Sequence, residues 1–303
     1  MSTADHRSNL SRRDLFFILF LAGSIAIFWK PLQNLFSFSL THDYASHIIL
    51  IAPVSAYLIY LRRNEIFSVV RTGLLPGSLL LFAGTTLWWF AATYPAASIR
   101  HNEFSLLTLA MVIIWISGFI LCYGPRAFAT ALFPWLFLLL LVPIPEIVVE
   151  KLTFLLQTGS AAVAYGLLRV LSIPVLKQGF ILRLPTLDIE VAKECSGIRS
   201  SLALLITTLL VADFILRSAW RKALLVLSIL PVLILKNGVR IVSICLLSIY
   251  VNRGFLHGWL HTSGGIVFYL LGVAILAPLV TALRKSEGQI LAPRNLNVSE
   301  PPV

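Results

Sequence analysis

The chain has 303 residues, of which 58% are hydrophobic and only 12% charged, with a mean hydropathy of +0.90. No water-soluble surface of ordinary polarity can be assembled from that composition, which excludes a soluble globular protein and points to a polytopic membrane protein. The net charge of +11 would suggest nucleic acid in a soluble protein, but here the basic residues mostly flank apolar runs, so positive-inside topology accounts for it and no nucleic-acid partner is expected.

Residues 1–14 form a cytoplasmic tail whose Arg7, Arg12 and Arg13 hold the N-terminus inside, and the apolar run from Leu15 to Trp29 is read as a retained first span. A polar segment with His42, Asp43, Tyr44 and His47 follows on the outer side, and a second span from Ile48 to Leu61 returns to Arg62, Arg63 and Arg71. Spans three to five cover Leu74 to Thr93, Phe104 to Tyr123 and Ala127 to Val142, each near the length that crosses ~30 Å of hydrocarbon. Trp88, Trp89 and Tyr94 suit an interfacial aromatic belt.

The next apolar stretch, Ile147 to Ile173, is too short for two crossings. Glu146, Glu150, Lys151 and Arg169, with Gly159 and Gly166 inside it, favour a re-entrant or interfacial helical piece. A single crossing is the alternative, and it would invert everything downstream. Gln178 to Val191 alternates in part and is broken by Pro185, which suits a short β-like excursion. Spans from about Ser200 to Leu216, Ala223 to Tyr250 and Ile266 to Leu283 complete the chain, with Arg217, Arg221, Lys222, Arg284 and Lys285 at the cytoplasmic ends. The expected fold is all-α: a polytopic transmembrane helical bundle of about eight spans within residues 15–285, followed by a disordered cytoplasmic tail over 286–303.

Three places carry polar chemistry. Glu194-Cys195-Ser196-Gly197-Ile198-Arg199-Ser200 leads into the apolar helix that begins near Leu202. The unpaired N–H groups and dipole of a helix's first turn stabilise a thiolate at Cys195. Lys236-Asn237-Gly238-Val239-Arg240 interrupts a span, and charge inside a bilayer is expensive enough that such residues usually face a cavity. Gly238 is read as a place where the helix could break, and Asp213 lies at the wrong depth to pair with Arg240. His261, in His261-Thr262-Ser263-Gly264-Gly265, offers an imidazole on the same side. Thiolate nucleophile, imidazole acid/base and fixed cation together suit acyl transfer, with Cys195, Arg240 and His261 as the catalytic candidates. Asn237 could orient Arg240, and Ser196 could cap the helix or donate to an oxyanion. The other cysteines, Cys122 and Cys245, read as apolar filler. The cysteines show neither CxxC nor Cys/His spacing, so no cofactor or metal is called for.

With those residues on the page, the chain resembles the exosortase/archaeosortase family of integral-membrane cysteine transpeptidases. The likeness lies in the Cys195 motif, Asn237-Gly238-Val239-Arg240-Ile241 and His261-Thr262-Ser263-Gly264-Gly265, in that order, and extends over His42 to Tyr57 and from Pro143 to Gln157. The resemblance implies a nucleophile at Cys195, an essential arginine at Arg240 and an essential histidine at His261. It further implies partners: secreted proteins with a C-terminal Pro-Glu-Pro-type sorting signal, a transmembrane helix and a basic tail. Such a protein would sit in the bacterial inner membrane and pass the cleaved chain to an envelope acceptor, while the charge pattern of the spans puts both termini inside and Cys195 on the extracytoplasmic side. A competing class is a non-catalytic membrane protein of polysaccharide export, in which Lys236 and Arg240 bind an anionic lipid or sugar phosphate.

Overall fold

The computed structural model describes residues 11–93, 100–185, 187–191, 198–256 and 265–291. It divides into two compact units, Met1–Val149 and Glu150–Val303, each with its own packing.

The first unit opens with α1 (Arg12–Ile27), capped by the Ser11 side chain in a reciprocal box with Asp14. α2 (Trp29–Thr41) follows after a 72° bend at Phe28. Next come α3 (Ile48–Leu61), the single turn α4 (Arg63–Ile66), α5 (Leu74–Thr93), α6 (Arg100–Thr130) and α7 (Leu132–Leu138). α6 turns sharply at Gly124, where φ is +88° and an added Cβ would lie 1.7 Å from the Arg71 carbonyl oxygen. Only glycine accommodates both the left-handed backbone and that approach, and the turn falls between the two spans expected there. Polar side chains stitch this unit where lipid offers no hydrogen bonds. The Tyr123 hydroxyl donates to Asp14 at 2.7 Å, Trp115 Nε1 to Ser24 Oγ at 2.8 Å, and Ser55 and Ser105 to the carbonyls of Pro134 and Pro143 at 2.8 and 2.7 Å.

α8 (Glu146–Val170) is one uninterrupted helix of 25 residues with the length and hydropathy of a membrane span. This corrects the re-entrant or interfacial reading of that stretch. Gly159 does not break the helix but lies against Ile234, while Gly238 lies against Val163, so α8 and α11 (Ile229–Tyr250) run side by side in the same direction. Gly238 is likewise not a break: α11 continues through it, and an added Cβ would sit 2.4 Å from Val163 Cγ1. Small residues at such a seam let two backbones approach, which is how helices associate where lipid is as apolar as leucine.

The β-like excursion is a three-stranded antiparallel sheet of β1 (Leu176–Gln178), β2 (Ile181–Leu184) and β3 (Leu187–Glu190), with β2 in the middle. Leu182, Leu184 and Val191 turn inward onto Ala161, Ala164 and Leu168 of α8 and onto Ile241, Val242 and Cys245 of α11. α9 (Ile198–Ile215), α10 (Ala219–Leu227) and α12 (Gly265–Leu291) complete the unit. Leu204 lies against Gly272, and the Arg217 N–H donates to Glu287, so α9 and α12 run in the same direction. Lys236 also lies against Gly272, and Arg240 against Phe268, so α11 runs opposite to them.

Among the described residues six helices have the length and hydropathy of a membrane span, or seven if the bent pair α1–α2 is taken as one. The chain is thus an all-α polytopic bundle, as expected. Two of the expected spans, at Ile48–Leu61 and Leu132–Leu141, form shorter apolar helices. The last helix runs on to Leu291; residues 292–303 lie outside the described residues.

Candidate active site

Two buried cations stand one turn apart on α11. Lys236 is 0% exposed and Arg240 8% exposed, and residues four apart lie on one helix face. Each is met by the first turn of a different neighbouring helix. The Lys236 ammonium donates to Ser200 Oγ at 2.5 Å, in the first turn of α9. The Arg240 guanidinium carbon lies 5.8 Å from the centre of the Phe268 ring, in the first turn of α12, within cation–π range. Asn237, expected to support Arg240, is fully buried on the same turn of α11.

These contacts bear on the sequence motifs. Ser200 closes the motif that contains Cys195, and Phe268 follows the one that contains His261. Cys195, Ser196 and His261 themselves lie outside the described residues, as does Tyr94. The segments flanking both motifs therefore converge on a single face of α11, centred on Lys236 and Arg240. A guanidinium buried away from bulk water acts more strongly on a nearby anion than the same group in water.

Asp213 is not a partner of Arg240. Its carboxylate accepts from Lys222 Nζ at 2.9 Å near the far end of α9, as its depth in the sequence required. Cys245 is fully buried among apolar side chains, in the filler role expected of it; Cys122 is half-buried in α6. In the first unit His42 stacks on the Phe38 ring at 4.2 Å, with Tyr44 edge-on to both. Burial lowers the His47 pKa, opposed in part by hydrogen bonds to the backbone at Tyr44 and Leu140. Phe38, His42 and Tyr44 thus pack on one another.

Two contributions were not singled out by sequence reasoning. Gln157, midway along α8, donates its side-chain N–H to the Val191 carbonyl and so fixes the end of β3, four residues before Cys195. An amide inside an apolar run was the available signal. Phe268 is the other, and an aromatic in an apolar helix carries no signal of its own.

A family model, Transmembrane exosortase (Exosortase_EpsH), matches residues 39–278. The chain belongs to the transmembrane exosortase family. No curated protein and no solved structure matched it. The exosortase match takes in α3 to α11, the sheet and the first half of α12, and so contains all three motifs together with both cations and Gln157.

Proposed function

We propose that this exosortase is a cysteine peptidase or transpeptidase that cleaves the C-terminal sorting signal of secreted proteins through a thioester and transfers them to an envelope acceptor. The observation that carries the reading is Arg240: a buried guanidinium on α11, set against the first turn of α12, with Lys236 one turn away bound to the first turn of α9. A cation so enclosed in a membrane helix is costly, and a catalytic role accounts for its retention. Cys195 precedes α9 by three residues and His261 precedes α12 by four, so covalent geometry keeps both within about 15 Å of those first turns.

In this mechanism the Cys195 thiolate adds to the scissile carbonyl, and Arg240 stabilises the tetrahedral oxyanion or holds the signal's acidic residue. The C–N bond then breaks, His261 gives a proton to the leaving amine, and the new carboxyl-terminal acyl group stays on sulfur. His261 takes a proton from the incoming amine or water, which displaces the thiolate. Asn237 and Ser196 support the site, Asn237 beside Arg240 and Ser196 beside the nucleophile.

The reactive end faces the extracytoplasmic side of a bacterial inner membrane in this proposal, which takes the six long apolar helices as the crossings and neither the bent α1–α2 pair nor the two shorter helices. The support is charge: Arg217, Arg221, Lys222, Arg284 and Lys285 gather where α9 ends, α10 begins and α12 nears its end, as a cytoplasmic end would require. Co-expression with a secreted protein bearing a Pro-Glu-Pro signal tests the function. Wild type should shorten the substrate and Cys195→Ala should not; equal processing by both would overturn the reading.

A further inference from the structure

The sheet offers a second surface. The Val191 N–H donates to the Phe180 carbonyl at 2.9 Å, which turns Val191 toward β2. Hydrogen-bonded residues alternate along an antiparallel strand, so Ile189 and Leu187, opposite Leu182 and Leu184, also turn toward β2. Asp188 and Glu190 must then direct their N–H and C=O groups outward, along the edge that has no neighbouring strand among the described residues. Among the described residues no hydrogen bond to another element uses them. Their side chains are exposed, whereas Leu187 and Ile189 are half-buried.

We propose that this outer edge of β3 is the docking surface for the substrate peptide, which adds to the sheet as a fourth, extended strand. The inference rests on the reading of the chain as a peptidase. Its particular ground is continuity: in the sequence β3 leads into the reactive segment, and Cys195 is only five residues beyond Glu190, at most about 18 Å of chain. A peptide paired with β3 therefore lies within that reach of the nucleophile. Gln157 fixes the register by holding the Val191 carbonyl. Main-chain bonds of this kind give affinity that tolerates sequence variation, while alternate side chains supply selectivity.

The opposite edge is a poorer candidate. β1 has three residues; Leu176 and Gln178 turn inward toward Arg183 and Ile181, which leaves Lys177 alone facing out. A second copy of the chain is also disfavoured, because antiparallel self-pairing would set Asp188 and Glu190 against their own counterparts, and like charges directly opposite destabilise a pair.

Disulfide scanning tests this in membranes. Asp188→Cys, in a full-length background with Cys122, Cys195 and Cys245 changed to Ala, is co-expressed with substrates carrying one cysteine at successive positions around the cleaved bond. The expected result is crosslinking at every second substrate position, because strand side chains alternate between faces. Crosslinks at consecutive positions, or none, with a substrate that wild type does process would overturn β-addition while leaving the peptidase reading intact. Crosslinks between two enzyme chains would make the edge an oligomer interface and also overturn it. Alternating crosslinks to a substrate that wild type leaves uncut would keep the docking surface and remove the cleavage; neither crosslinking nor cutting would remove both.

Discussion

The Lys236 ammonium and the Ser200 hydroxyl meet at 2.5 Å, and that bond ties the turn of α11 below Arg240 to the first turn of α9. Ser200 is the one hydrogen-bond partner of Lys236 among the described residues, and Lys236 is 0% exposed. Removing the hydroxyl leaves a buried ammonium short of an acceptor, whereas removing both groups does not. Ser200→Ala should therefore lower stability by about 1–3 kcal/mol, and Lys236→Met added to it should recover most of that loss. Thermal unfolding of the purified variants in detergent measures this; equal stability of the single and double variants would contradict it.

Arg240→Lys keeps the charge but loses the planar donor fork and its fit against the Phe268 ring. Processing should fall by at least about a hundredfold, with normal accumulation in the membrane. Quantifying processed substrate against enzyme level checks this, and near-normal turnover would remove Arg240 from the mechanism.

Gly238 lets α8 and α11 touch, since a Cβ there would lie 2.4 Å from Val163 Cγ1. Gly238→Ala should cost about 1–3 kcal/mol through overpacking, and Val163→Ala should recover part of it. A Tm series of the two single variants and the double variant reads the coupling.

The far end of the second unit is held by Glu287. Its carboxylate accepts from the backbone N–H groups of Arg217 and Ser218 and lies 3.3 Å from Arg221. Glu287→Gln should lower Tm while sparing turnover per folded molecule, because the clasp is at the opposite end of α9 and α12 from Ser200 and Phe268. A turnover loss without a Tm change would contradict that separation.

Sidedness is open to direct labelling. In a background with Cys122, Cys195 and Cys245 changed to Ala, Gln178→Cys on the sheet should react with a membrane-impermeant maleimide in intact cells, and Ala219→Cys at the start of α10 should react only after permeabilisation. The reverse pattern would put the reactive end in the cytoplasm.

Much of this was legible in the sequence. Apolar run length marked most helices, and the incompatibility of a buried arginine with lipid marked Arg240. α8 was misjudged because Glu150, Lys151, Gly159 and Gly166 look like interruptions in one dimension. In three dimensions Gly159 receives Ile234, and the helix continues. Gly238 misled for the same reason: a glycine for close helix approach and a glycine for a break are identical letters. The Lys236–Ser200 bond and the Gln157–Val191 bond join residues 36 and 34 positions apart, and no local pattern announces such pairs.

The most direct test of the central claim is to look for the covalent intermediate. Enzyme and substrate are co-expressed, membranes are solubilised without thiols, and the enzyme is analysed by peptide mass spectrometry with and without hydroxylamine. The mechanism predicts a hydroxylamine-labile acyl peptide on Cys195, absent from Cys195→Ala and scarce in Arg240→Lys. A substrate cut equally well by Cys195→Ala, with no adduct on the wild-type cysteine, would contradict it.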